Sequence, residues 1–477
     1  MQQESPSPLG AYSKRSQELQ LLLEQTNERR GKWLSISVFL CLLVCALLYE
    51  SFATKKTPYG SAAVPIIVLA FAARRALQHR ARVLKLLDVS RYYDKSIARL
   101  KHEWDSLDDG KEFIDPDHIY ATDLDLFGRG SLFQLLCSAR THLGRGTLAS
   151  WMKSQAPRQE VLARRNAISE LGERRQLLES VAAAGNTEFS NCRSGTFEKW
   201  TAEMSSLPAF PSFAAPLALL LAPLLIVLPC LFWAAFLSLQ SLWLCLIAVL
   251  ALEAILGSSF REHVRSVIQS VQVPSVELPI ICELLAIIER EKFSSKRLSS
   301  LAQRLKNRQC VASIALRRLS RFIHLLDWES NMPLFFFLWG TQLAMAIDRW
   351  YRRHGSDLLN YLSALGEFEA LLSLSSYTFE HPRDVFPEII DGGPLFDATQ
   401  LGHPLLDETI CVSNDVRLDD KTRFLIVSGS NMSGKSTFLR AIGTNAVLAW
   451  MGAPVRCAKL RISEMQIAAA IRVQDSI

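Results

Sequence analysis

Disulfide and metal chemistry are the first things this sequence lacks. Its 10 cysteines are scattered over 477 residues with no C-x-x-C pair, and its 9 histidines form no H-E-x-x-H. Neither a disulfide framework nor a zinc site is indicated. Cys41, Cys45, Cys230 and Cys245 fall inside apolar runs, where a thiol behaves as a small hydrophobe. Charge is scarce too, at 21% of residues against 49% hydrophobic ones, with a mean hydropathy of +0.13. That composition excludes a disordered or fibrous chain, and the length exceeds what one core usually supports. Several domains and a membrane portion are expected.

The membrane portion is found where charge vanishes. From Trp33 to Tyr49 there is no charged residue, and Arg29, Arg30 and Lys32 precede the run. A second apolar segment, 62–73, follows a short KKTPYG turn, so the two read as a hairpin. Between Glu203 and Glu253 no residue is charged, which is enough chain to cross a ~30 Å hydrocarbon core twice, with SLQS (238–241) as the turn. This predicts a second hairpin. Arg74, Arg75, Arg80, Arg82 and Lys85 beside the first hairpin, against Lys55 and Lys56 in its turn, put the polar mass on the cytosolic side. The uncharged stretch 330–347 reads as a buried helix, because another crossing would carry the chain beyond it out of the cytosol.

Acidic residues are absent from Lys292 to Leu326, where basic ones gather, among them Arg297, Arg304, Arg308 and Arg318. With Leu298, Leu301 and Leu305 at helical spacing, such a helix suits phosphates of DNA or of anionic lipid, or is simply a solvated basic face. The acidic run Asp105–Asp117 fails the calcium-loop spacing and reads as a solvated linker.

The sharpest signal lies near the C-terminus. An apolar run, Phe424 to Val427, predicts a buried strand leading into Gly429-x-x-x-x-Gly434-Lys435-Ser436 and a helix ending near Gly452. This is a P-loop in a strand, loop and helix setting. The glycines let successive N–H groups aim at phosphate oxygens, and the helix N-terminus adds positive potential. Lys435 supplies a mobile charge for the β and γ phosphates, and the Ser436 hydroxyl is placed for Mg²⁺. No Asp-Glu strand of the kind that orients an attacking water follows Lys435. The domain therefore reads as incomplete, and the chain as truncated.

The loop residues Gly429, Ser430, Asn431, Met432, Ser433, Gly434, Lys435, Ser436 and Thr437 spell G-S-N-M-S-G-K-S-T, which resembles the G-x-N-M-x-G-K-S-T of the MutS family of DNA mismatch-repair ATPases. GHPLL (402–406) is similar to that family's approach to its ATPase domain. The segments 125–152, 158–171 and 366–382 resemble its helical lever, and 451–463 and 471–477 resemble the run towards its signature loop. The resemblance implies ATP and Mg²⁺ as cofactors, duplex DNA as a partner, a homodimer, and nucleotide-driven conformational change. It places Cys411 and Asn414 near the base, with Cys411 where the family has an aromatic ring. The mismatch-reading and connector domains have no counterpart, since a polar helix and a hairpin occupy the first 80 or so residues.

The expected fold is multidomain: a mainly α-helical lever and core region carrying two transmembrane helical hairpins, followed by a partial α/β P-loop domain. Its parts are an N-terminal helix (1–32), a hairpin (33–75), a helical core (76–206), a second hairpin (207–257), a second lever part (258–380) and the nucleotide domain (381–477). The chain is expected in the cell (inner) membrane, multi-pass, touching lipid. A transporter-type ATPase and a non-hydrolysing scaffold are the alternatives.

Overall fold

The computed structural model describes residues 7–53, 62–184, 196–234, 238–272, 277–306, 311–327, 339–430 and 433–470. Two compact units share them: Met1–Arg140, Thr147–Glu188 and Glu369–Ile477 form one, and Thr141–Gly146 with Phe189–Phe368 the other. Helix dominates both.

In the first unit α1 (Pro8–Ala53) and α2 (Ala63–Leu100) are long helices packed along each other. They run antiparallel, because Tyr12 meets Tyr93 at one end and Trp33 meets Phe71 further along. Pro65 is tolerated because it stands in the first turn of α2, where its missing N–H has no helical partner anyway. The linker 101–131 carries short 3-10 turns, and its acids serve the backbone: Asp108, Asp109 and Asp115 each accept from an N–H two residues on. Among the described residues no His/Cys/Asp/Glu group is disposed to hold a metal. Helix α3 (Leu132–Leu136) starts where the Ser131 side chain accepts from Gln134 N, and its Leu132, Phe133, Leu135 and Leu136 are almost wholly buried. Gly110 lies so close to Phe133 that a Cβ would stand 2.7 Å from the ring. Helices α4 (His142–Lys153), whose first turn belongs to the second unit, α5 (Arg158–Gly172) and α6 (Arg175–Ala182) follow.

The second unit is built of α7 (Thr196–Ser206), α8 (Ala214–Trp233), α9 (Leu239–Ser259), α10 (Arg261–Gln272), α11 (Leu278–Arg290), α12 (Lys296–Arg304) and α13 (Ala312–Asp327). It also holds the first part of α14 (Trp339–Glu380), whose last turns belong to the first unit. Trp200 packs on Trp350 and Tyr351, Trp350 Nε1 donates to Ala315 O, and Tyr351 OH donates to Thr201 O, which fixes α7, α13 and α14 together.

Among the described residues three helices are long and apolar enough to cross a membrane: Pro8–Phe52, Ala214–Trp233 and Leu239–Ser259. The expected arm 62–73 is not one of them, because Arg74 and Arg75 cut its apolar run short. The SLQS segment is not a turn either. Ser238 caps α9 by accepting from Ser241 N, so SLQS is that helix's start. Of the stretch 330–347, residues 330–338 lie outside the described ones; the rest opens α14, with Leu343, Ala344, Met345 and Ile347 buried as expected.

The first unit ends in a small mixed sheet. Strands β1 (Glu388–Ile390), β2 (Phe396–Leu401), β3 (Asn414–Leu418) and β4 (Lys459–Ser463) take the order β1-β4-β2-β3, with β1 parallel to β4 and β2 antiparallel to both neighbours. Between β3 and β4 runs α15 (Lys435–Met451), closed by Gly452 at φ 81°. The expected strand at Phe424–Val427 is not formed. Phe424, Leu425 and Ile426 are 76, 49 and 81% exposed. A central strand needs a neighbour to take its backbone hydrogen bonds and cover its side chains, and no described residues lie alongside this run as one.

Candidate nucleotide-binding site

The loop 429–437 is organised by one glycine and one lysine. Gly434 sits at φ 86°, a left-handed conformation costly for any residue with a Cβ, and the chain turns there directly into α15, whose first closing bond runs from Phe438 N to Gly434 O. Lys435 folds back over the loop, its Nζ donating to Gly429 O and Ser430 O at 2.6 Å each. Ser433 N donates to Ser430 O, and a Cβ on Gly429 would stand 2.7 Å from Ser433 Oγ, so the loop is tight at its start. An ammonium has three donors, and the two carbonyls use two. Ser436 lies exposed on the first turn of α15 and Thr437 is half-buried. Asn431 and Met432 lie outside the described residues.

Residues not singled out by the sequence hold α15 in place. Asn445 is fully buried and donates from Nδ2 to Gly402 O (2.9 Å) and Ala441 O (2.7 Å), while its Oδ1 accepts from Arg456 N (2.7 Å). Arg456 in turn donates from Nε to Asp384 Oδ1 (2.7 Å) and from Nη2 to His381 Nδ1 (3.0 Å), and Tyr377 OH donates to Asp384 Oδ2 (2.6 Å). Thus the helix behind the loop is tied through one arginine to the last turn of α14. On its other side Arg440 reaches Asp123 O (2.9 Å) and Asp125 (3.3 Å), and Gly443 admits the Leu124 side chain.

This network is dry, and its titrations show it. Burial, reinforced by the charges of Arg456, His102 and Arg99, pushes His381 down to about 3. Burial with Arg440 and Arg456 lowers His403 to about 4. Both rings are therefore neutral at pH 7, as the acceptor role of His381 Nδ1 toward Arg456 requires. Burial raises the Asp384 carboxyl against the opposing pull of Arg456, and it lifts the Cys457 thiol to about 12. In the sequence His403 lies in GHPLL, Tyr377 and His381 in 366–382, and Arg456 and Cys457 in 451–463, the segments that carry the family resemblance, whereas Asp384 and Asn445 lie outside them.

Of the base-proximal candidates, Cys411 is held within the 402–411 segment. Cys411 Sγ accepts from His403 N at 3.3 Å and packs against Gly402, while Asn414 is exposed at the start of β3, opposite Leu401. The basic stretch is not one helix but two, α12 and α13. Arg297 pairs with Glu367 on α14, and Arg304 reaches the same carboxylate at 3.7 Å and Ser363 Oγ at 3.4 Å. Both thus meet a carboxylate remote in sequence but adjacent in space. Arg318 is exposed, and Arg308 lies outside the described residues.

No family model matches the chain. It is similar to DNA mismatch repair protein MutS 1 of Halobacterium salinarum, 39% identical over 100 residues, which covers 21% of this chain and 11% of the relative. DNA mismatch repair protein MutS of Fusobacterium nucleatum is 35% identical over 107 residues, 21% of this chain and 11% of that protein. DNA mismatch repair protein MSH3 of Candida glabrata is 24% identical over 200 residues, 40% and 19%. The chain thus spans between about a tenth and a fifth of the curated relatives' length.

Proposed function

We propose that this chain binds ATP with Mg²⁺ at the 429–437 loop and uses it, as a membrane-anchored protein of mismatch-repair type, to drive a conformational change that acts on duplex DNA. The partial similarity to MutS proteins supports the type of function. The single observation that carries nucleotide binding is the Gly434-Lys435 junction: a left-handed glycine, the free N-terminus of a 17-residue helix behind it, and a lysine amine already folded over the loop. These residues fit a polyphosphate. Lys435 exchanges carbonyl oxygens for phosphate oxygens, the first N–H groups of α15 point the same way, and the exposed Ser436 hydroxyl is available to the ion.

The network behind α15 supplies the mechanical part. A change in the loop moves α15, and α15 is linked by Asn445 and Arg456 to Asp384, Tyr377 and His381 at the end of the α14 lever. Since α1, α8 and α9 are long and apolar enough to span, the lever is proposed to work against a membrane-held helix set, with a homodimer as the working form.

Lys435→Ala is expected to lower the affinity for a labelled ATP analogue by about 100-fold, the loss of a charge-assisted phosphate contact. Unchanged affinity sinks the reading. Duplex DNA affinity that changes when the ATP analogue is bound supports the mismatch-repair type, whereas nucleotide binding that leaves DNA affinity unaltered favours a scaffold.

A further inference from the structure

Where α1 and α2 pass the edge of their apolar runs they form an open cavity of about 330 Å³ lined by Arg29, Trp33, Arg75, Gln78, His79 and Arg82. Three guanidinium groups face it and no carboxylate lines it. On α2 the residues Arg75, Gln78, His79 and Arg82 recur at one helical face, and Arg29 and Trp33 stand one turn apart on α1. Among the described residues none of the three arginines makes an ion pair. His79 Nδ1 is buried and has no hydrogen-bond partner. Two of the lining residues meet an aromatic ring beside it: Trp33 meets Phe71 edge-on at 5.9 Å, and the Arg75 guanidinium lies 5.1 Å over the Phe71 ring.

The depth of this cavity is fixed by the sequence on either side. Past Trp33, α1 has no charge until Glu50, and before Arg74, α2 has none back to its start. The outward faces beyond the cavity are exposed and apolar, with Val38, Phe39 and Leu42 on α1 and Val64 and Ile67 on α2. The cations therefore stand within about two helical turns of one another, directly above two adjacent lipid-compatible surfaces. That is the geometry of a phosphate at the membrane interface with acyl chains running below it.

We propose that this cavity binds the headgroup of an anionic phospholipid, with the phosphate held by Arg29, Arg75 and Arg82 and by the free His79 nitrogen. Three guanidinium groups favour a phosphate with no ammonium attached, so zwitterionic lipid is rejected by charge. The site rests on the reading that α1 crosses a membrane, and it goes beyond nucleotide binding by making the helix pair responsive to lipid composition.

The test uses the full chain reconstituted in equimolar phosphatidylcholine and phosphatidic acid, then transferred to detergent for measurement of retained lipid. Wild type is expected to retain phosphatidic acid with at least about tenfold preference. The Arg29→Gln/Arg75→Gln/Arg82→Gln protein should lose that preference. Arg30→Gln/Arg74→Gln/Arg80→Gln, with equal charge removed from the same region outside the cavity, should keep it. Equal loss in both triples overturns the site in favour of diffuse attraction. Displacement of the lipid by millimolar inorganic phosphate overturns it in favour of a free-anion site. If the first triple does not fold, Arg82→Gln alone must still reduce the preference. Resistance to alkaline carbonate extraction separates the two readings: a protein that stays inserted without headgroup preference sinks the cavity alone, while release of wild type sinks the spanning reading and the lipid site with it.

Discussion

Arg99 and Glu380 form a bidentate ion pair sealed inside the protein, Nε to Oε2 at 3.1 Å and Nη2 to Oε1 at 2.6 Å, with side chains 3% and 0% exposed. The pair joins the last turns of α2 to the final residue of α14. Ser96 Oγ accepts a further bond from Arg99, and Tyr12 OH donates to Glu380, so α1 converges on the same carboxylate. The end of α14 is thereby fastened to the two helices proposed to meet the membrane.

Removing one partner strands a buried charge. Arg99→Ala is expected to destabilise the first unit by about 3–5 kcal/mol, read by denaturant unfolding in detergent. Arg99→Met with Glu380→Leu should recover most of that loss, because an apolar pair of similar volume carries no desolvation cost. A neutral Arg99→Ala would refute the structural role.

Two glycines of the nucleotide region are needed for different reasons. At Gly434 nothing meets an added Cβ, so Gly434→Ala costs only the left-handed backbone, about 1–2 kcal/mol, and should weaken nucleotide binding while leaving the melting profile nearly intact. At Gly443 the backbone is ordinary but Leu124 Cδ2 lies 2.5 Å from the added atom. Gly443→Ala should lower stability by about 1–3 kcal/mol through overpacking. Melting and analogue binding, measured on both variants, check the contrast.

Asn445 has separable ends. Asn445→Ala leaves Gly402 O and Arg456 N buried without their partner and should cost about 2–3 kcal/mol. Asn445→Asp keeps the acceptor for Arg456 N but sets an oxygen against Gly402 O. Equal stability of wild type and the alanine variant in urea would contradict the network.

The two depressed histidines predict an acid-sensitive core. Folded His403 and His381 titrate near about 4 and 3, below the ordinary value of about 6.5 that they regain on unfolding. Their contribution is complete above that ordinary value and is lost as pH falls toward the folded values, because the unfolded chain takes up the proton first. Between pH 7 and pH 5 each should remove on the order of 2 kcal/mol. His403→Gln should flatten the pH dependence of unfolding over this interval, and an unchanged slope would count against it.

How far the residues alone carried the structure differs by element. The start of α15 at Lys435 and its stop at Gly452 were readable, since both depend on backbone dihedrals and neighbours within a turn. The apolar runs of α1, α8 and α9 were equally plain. The run 424–427 was misread because strand formation depends on a neighbour that local sequence does not specify. Arg297 and Arg304 meet Glu367, some 60 to 70 positions away, a partner that a local reading does not show.

The sequence by itself determined where charge is absent, where a glycine can turn left-handed, and where a lysine follows it. Those features are local, and the chain meets them within a few residues. Only the tertiary structure decided that Asn445 and Arg456 brace the loop's helix, that Glu380 gathers three helices, and that Arg29 shares a cavity with Arg75 and Arg82. The physical reason is that a charged or polar side chain takes its role from desolvation and from the partner it meets, and packing sets both across distances in sequence that no motif spans.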